Sequence, residues 1–364
     1  MKKLLCLLLT LAILFGIAAC GGNQPPAPGG QAAPGPGPAE PAPADRQIRV
    51  GFAQKTLDGP YFVALVETVE AEARRLGWEI TVLEAGDDTQ RESENMDALI
   101  AMGKDLIFLN SVDPYAAVAV IQRAWDAGIG VINLDSGVAD GTQQITTVYS
   151  NNYQNGRHVG LAFVDYFDED IHAILLSGAM GNVAGRERRM GLFWGIIEGR
   201  LGIPTEEAYD LAQAFEDQLV ATGRAENAEA RFVVGGQGWG AWTEEVALPE
   251  AEDLIVANPQ LNVALGESDQ MLFGVMTALA NAGIEGVQIV AAADGARRAI
   301  RYVQEGRYFG TGENSPILVG RLGVEIARQI LEDGADPASF DPIIMTEAVA
   351  ITTANAAERY QFGF

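Results

Sequence analysis

Residues 106–135 read LIFLNSVDPYAAVAVIQRAWDAGIGVINLD. Leu106 to Asn110 is a short, continuously apolar run that ends on an amide. After a polar turn, Ala116 to Ala127 carries apolar side chains at helical spacing, and Gly128 closes it. Val131 to Asp135 is a second apolar run, ending on a carboxylate. Glycine just past a helix is what a left-handed C-cap needs. A strand that is apolar at every position has both faces covered, so this strand–helix–strand unit predicts a parallel sheet packed by helices on both sides.

The unit repeats outward in both directions. Upstream, Ile48 to Ala53 and Glu79 to Glu84 read as strands, with helices at Phe62 to Leu76 and Glu92 to Met102. Downstream of Asn151 the strands are His172 to Ser177, Arg231 to Gly235, Asn262 to Leu265 and Val287 to Ala292. Between them run helices at Gly156 to Phe167, Arg188 to Glu198, Thr243 to Ala257, Met271 to Ala282 and Ala296 to Gln304. Leu318 to Glu332 forms a last helix before a strand-like tail at Ile343 to Thr352. The class is α/β, with two doubly wound units meeting near Tyr149 to Tyr153.

The ends of the chain bound its compartment. Lys2 and Lys3 precede an apolar run from Leu4 to Ala19, too short for a comfortable bilayer span, which reads as a secretory signal over residues 1–19. It closes on Ile17-Ala18-Ala19-Cys20-Gly21, which resembles a bacterial lipoprotein box in which Cys20 would take the lipid; an ordinary small-residue signal site cut near Ala19 is the plainer alternative. Cys6 lies inside the signal, so the exported domain has no thiol and no disulfide. Residues 20–46 are mostly Pro, Gly and Ala and read as a tether that sets a folded domain off a membrane. The formal charge of −25 repels nucleic acid.

Ligands of open parallel sheets sit beyond the carboxyl ends of the strands. Those ends carry Leu57 to Phe62, Asn110 to Asp113, Asp135-Ser136, Gly181 to Arg186, Gly238 to Trp242, Ser268-Asp269, Asp294 and Glu313-Asn314. The set is acidic, amide and aromatic, with no nucleophile–base constellation. Gly235-Gly-Gln-Gly-Trp-Gly lacks dinucleotide spacing, and no Walker lysine follows a glycine loop. His158 and His172 stand apart without companions, and Asp168-Glu169-Asp170 lacks calcium-loop spacing. No metal and no cofactor is expected.

At these strand ends the chain resembles the sugar-binding branch of the type I periplasmic binding proteins, the two-lobed "Venus flytrap" receptors of ABC transporters. The resemblance rests on Gly-Pro-Tyr-Phe at 59–62, Asn-Ser-Val-Asp-Pro at 110–114, Asn-Leu-Asp at 133–135, Gly-Arg-Glu-Arg at 185–188, Glu-Ser-Asp at 267–269 and Ala-Asp-Gly at 293–295, in the family's order. It implies lobes of 47–150 plus about 315–343 and of 151–314 plus about 344–364, joined by a three-segment hinge. It further implies a monomer that hands a monosaccharide or polyol to a membrane permease. Tyr61 and Phe62 match the aromatics that cover a sugar ring from one lobe, and Trp242 matches the one from the other, with Trp239 as the alternative. Asn110, Asp135, Arg186, Asp294 and Asn314 match positions that bond sugar hydroxyls. Gly59 replaces an amide or carboxylate, leaving that contact to Asp58, while Ser136 and Ser268 replace an arginine and an asparagine. About Ile197 to Gly235 is longer than in those relatives.

Carboxylates accept hydroxyl protons, and arginine and amides donate to sugar oxygens, so this set suits a polyol. The plainer reading makes Asp135 and Asp294 helix caps and Phe62 core; Arg188 and Arg189 are expected to form a solvated face. A glycosidase using Asp135 and Asp294 as paired carboxylates is disfavoured, so no enzyme is expected. A nucleoside receptor is the runner-up, because Tyr61 and Trp242 suit a base equally; a sugar sensor for a membrane receptor follows.

Overall fold

Strand ends that converge need two sheets, and the chain builds them one after the other. The computed structural model describes residues 46–364; the signal, Cys20 and most of the tether lie outside the described residues. The first part runs β1 (Arg49–Gln54), α1 (Pro60–Arg75), β2 (Glu79–Glu84), α2 (Thr89–Ala101), β3 (Leu106–Asn110), α3 (Ala116–Asp126), β4 (Gly130–Leu134) and β5 (Thr146–Tyr149). The second runs α4 (Asn152–Tyr166), β6 (Ile171–Ser177), α5 (Val183–Leu201), α6 (Thr205–Thr222), β7 (Ala225–Asn227), β8 (Phe232–Trp239), α7 (Glu244–Ala257), β9 (Val263–Gly266), α8 (Asp269–Ala282), β10 (Gln288–Asp294), α9 (Arg297–Gln304) and β11 (Gly310–Glu313). The chain ends α10 (Pro316–Leu331), β12 (Ile343–Met345), β13 (Ala350–Ile351) and α11 (Ala356–Arg359).

The first sheet is wholly parallel, in the order β12-β5-β4-β3-β1-β2. The second is β13-β11-β10-β9-β6-β8-β7, parallel except for its two edge strands. In β3, Leu106 and Phe108 enter the core under α1 and α10, while Ile107 and Leu109 enter the core under α2 and α3. That two-residue alternation between two apolar layers is why the run has no polar position. The second sheet is likewise covered on both faces.

Glycine faces set one helix pair that matters for the site. A Cβ on Gly156 would lie 2.5 Å from the Arg188 carbonyl, and one on Gly195 would lie 2.1 Å from the Arg157 carbonyl. α4 and α5 therefore touch backbone to backbone, which brings the start of α5 under the sheet ends.

The chain passes between the sheets three times, and Asn155 of α4 holds all three passages. Its Nδ2 donates to Ser150 Oγ at 3.1 Å and to the Glu313 carbonyl at 2.9 Å, and its Oδ1 accepts from Val349 N at 3.0 Å. The first two passages fall at 150–151 and 314–315. The third lies later than the sequence indicates, because Ile343, Ile344 and Met345 all pair with β5 in the first sheet. The chain leaves that sheet only after Met345.

Five further elements go beyond the sequence reading: β5, α6, β7, β11 and α11. β11 reads Gly-Thr-Gly-Glu and is fully buried; a Cβ on Gly312 would lie 2.0 Å from the Ala292 carbonyl. Backbone proximity to β10, rather than apolar side chains, makes it a strand.

Candidate ligand-binding site

Tyr61 enters from the first turn of α1, where Pro60 fixes the opening backbone. Its hydroxyl donates to Asp135 Oδ1 at 2.7 Å, and its oxygen stands 3.3 Å from Asn314 Oδ1. Asp135 directly follows β4 with φ 66°, a left-handed turn that swings its carboxylate to Tyr61. Asn314 N donates to the Asp294 carbonyl at 3.0 Å. Asp294 Oδ1 in turn accepts from Arg188 Nη1 at 3.0 Å, and the guanidinium lies 5.5 Å from the Trp242 ring centre. One polar chain thus runs from Tyr61 and Asp135 on the first sheet to Asp294, Arg188 and Trp242 on the second.

Trp242 needs space that glycine supplies. A Cβ on Gly178 would meet its indole at 2.0 Å, and one on Gly185 at 3.1 Å. The ring lies flush against the backbone after β6 and against the first turn of α5.

Two polar side chains here have no protein partner. Asn110 at the end of β3 is 0% exposed, and neither its amide nitrogen nor its oxygen is bonded. Ser268 heads α8 but makes no capping bond, and its buried Oγ is likewise unpartnered. An unbonded buried amide is costly, of order 1–3 kcal/mol, so such a group at a strand end is built to meet something else.

Burial pushes the Asp294 carboxyl up, against the pull of Arg188 and Asn314. Burial also raises Asp135, opposed by the Tyr61 hydroxyl, Lys55 and Arg188. Burial works against the charge of Arg188, but Asp294 and then Asp135 outweigh it and the group is raised. Asp269 supports the arrangement: it accepts from Ala296 N at 2.8 Å and from the Tyr308 hydroxyl at 2.9 Å, which fixes the turn carrying Asp294. Burial, then the neighbouring Asp294, lift Asp269 to about 6.

The structure brings Tyr61, Asp135, Asp294, Asn314 and Trp242 together and leaves other expected residues apart. Arg186 is corrected. It turns to α6, donating to Gln213 Oε1 at 2.7 Å with Glu216 at 3.9 Å. Two residues along a helix are about 200° apart, so Arg188 faces the cleft where Arg186 does not. Arg188 and Arg189 are each 7% exposed, not a solvated face. Asp58 is exposed on the rim, and only its backbone nitrogen is bonded, to Thr56 Oγ1. Phe62 is half-buried, edge-on to Tyr61 and under Lys55. Neither Asp135 nor Asp294 caps a helix: α9 is headed by Ala296. Trp239 ends β8 with its backbone nitrogen facing Glu250, so Trp242 is the aromatic on Arg188.

Beside Asn110, buried Glu92 accepts from Val112 N at 2.6 Å, and burial lifts its carboxyl to about 7. Unfolded, the group loses its proton near 4.5, so between these values folding takes up a proton and stability falls as pH rises. Glu92→Gln, which keeps an acceptor for Val112, is expected to remove this term. Relative to the variant, the wild type should lose roughly 2 kcal/mol of unfolding free energy between pH 5 and 8. Denaturant titrations at the two pH values check it; parallel pH profiles would contradict it.

A family described as periplasmic binding protein domain matches residues 50–336. The chain belongs to that family. The ribose import binding protein of Bacillus subtilis is 24% identical over 91% of this chain and 94% of its own. The D-apiose import binding protein of Paraburkholderia graminis is 24% identical over 84% and 87%. Among solved structures, a solute-binding protein from Actinobacillus succinogenes with bound D-allose superposes with TM-score 0.70 at 20% identity, covering 86% of this chain and all of that one. The myo-inositol binding protein of Caulobacter gives TM-score 0.67 at 21% identity over 87% and 97%. A periplasmic binding protein of this type has two lobes, and the two sheets are those lobes.

Proposed function

We propose that this periplasmic binding protein is the receptor of an ABC importer and captures a monosaccharide or related polyol between its lobes. The observation that carries the reading is Asn110, an amide fully buried at a strand end with both polar atoms unpartnered. A polyol hydroxyl both donates and accepts, so one ring can satisfy Asn110 and Asp135 from the first lobe and Asp294 from the second, where Arg188 also donates. Relatives named for ribose and apiose import, and fold neighbours holding D-allose and myo-inositol, support the same class. The chain acts as a monomer, and its two rims, fixed together by the ligand, form the surface a permease reads.

A thermal-shift screen against pentoses, hexoses, polyols and nucleosides tests the reading, because a ligand held only by the folded state raises stability by mass action. Stabilisation by a sugar or polyol is expected; stabilisation by nucleosides alone would replace it. Export and anchoring belong to the same proposal, through lipidation at Cys20. Cys20→Ser is expected to move the protein from the membrane to the soluble fraction of its host, and a wild type already soluble would refute the anchor.

A further inference from the structure

The Tyr61 ring meets two others edge-on: Phe62 at 5.5 Å and 80°, and Phe364 at 5.4 Å and 88°. Phe362 to Phe364 is fastened to the second lobe. Arg297 N, at the start of α9, donates to the Phe364 carbonyl at 3.1 Å; Ser315 Oγ, on the second passage between the sheets, donates to the Phe362 carbonyl at 2.6 Å. A Cβ on Gly363 would lie 3.0 Å from the Gly295 carbonyl, so the segment sits backbone-close beside the turn that carries Asp294. Tyr360 and Phe364 pack on the apolar layer under α7 and α8. Tyr61, however, belongs to the first lobe. Phe364 is therefore an aromatic side chain held by one lobe and set against the ligand-facing ring of the other.

We infer that Phe364 is a positioning residue for ligand binding: it fixes the Tyr61 ring, and with it the hydroxyl on Asp135, from the second lobe. The inference rests on the ligand-binding reading above. An edge-to-face pair is worth enough to matter for affinity, and this one is made between the two bodies that a ligand must draw together. Contact with Tyr61 thus adds to the closed arrangement without touching the ligand.

Phe364→Ala is compared with the wild type, Phe364→Tyr, Tyr61→Ala and the double variant. In ligand-free protein, amide exchange at Arg297 is expected to quicken in Phe364→Ala, and with sugar bound it should quicken over Tyr61–Ala64 as well. With D-ribose, D-allose or myo-inositol, whichever binds, Kd should rise about five- to tenfold. In the Tyr61→Ala background the same substitution should add less than about twofold, because the coupling partner is gone. Phe364→Tyr keeps the ring and its edge-on contact and should stay near wild type. Unchanged amide exchange, or an equal loss of affinity in both backgrounds, would overturn the assignment. If none of the three sugars binds even the wild type, the ligand reading falls by itself and the exchange rates alone decide the role of Phe364.

Discussion

Arg188→Ala is expected to weaken ligand binding about a hundredfold and to lower unfolding free energy by about 3 kcal/mol. Both effects come from one geometry. The guanidinium donates to Asp294 Oδ1 at 3.0 Å, to the Glu267 carbonyl at 3.3 Å and to Asn152 Oδ1 at 3.1 Å. Removing it leaves Asp294 facing a buried space without its main counter-charge, and takes from Asp135 a cation that ranks behind Lys55. Burial already raises both carboxyls, and losing the cation should raise them further. Arg186→Ala, which removes bonds to Gln213 of α6 and to the Tyr153 hydroxyl of α4, is expected to hold affinity within about threefold. Calorimetric titration of the two variants with the ligand found by screening checks this. Equal losses would mean that Arg186 reaches the cleft and that the direction of α5 is wrong.

Arg189→Ala should act on the fold rather than on the ligand, with a loss of about 4 kcal/mol. Arg189 donates to both Glu216 oxygens, as close as 2.6 Å, and to Glu267 Oε1 at 2.8 Å. Glu216 and Glu267 are 1% and 0% exposed, so alanine strands two buried carboxylates together. Glu267 Oε2 also accepts from Gly178 N, beneath the Trp242 ring. Arg189→Lys keeps the charge but not the forked contact, and should recover only part of the loss. A denaturant midpoint unchanged by Arg189→Ala would contradict the buried network.

These neighbouring arginines mark where the sequence stops being readable. Strands such as Leu106–Asn110 were legible because continuous apolar character has one explanation, and the residues at their ends followed from the topology. Tyr61, Asp135, Asp294 and Asn314 meet because each sits at such an end. The arginines depend instead on helix phase. The sequence places the start of α5 at Arg188, but the helix begins at Val183, capped by Asn182 through Gly185 N at 2.8 Å. Gly181, Gly185 and Gly191 disguise that turn as a loop. The partner helix α6 falls in the stretch read as longer than in the resembled family, so Gln213 and Glu216 gave no sign that Arg186 and Arg189 were already engaged. Gly178 and Gly185 beneath Trp242 were legible as glycines but not as a bed for an indole.

The proposed function has two lobes share one ligand across three short passages, and such lobes are expected to move relative to each other when it binds. Asn155 keeps those passages together, and each lobe keeps its own buried layers. Small-angle scattering of the protein with and without saturating sugar tests this directly. A smaller radius of gyration with the ligand, and an unchanged circular dichroism spectrum, is the expected result. An identical radius of gyration at saturation would mean a rigid pocket and would contradict capture by closure.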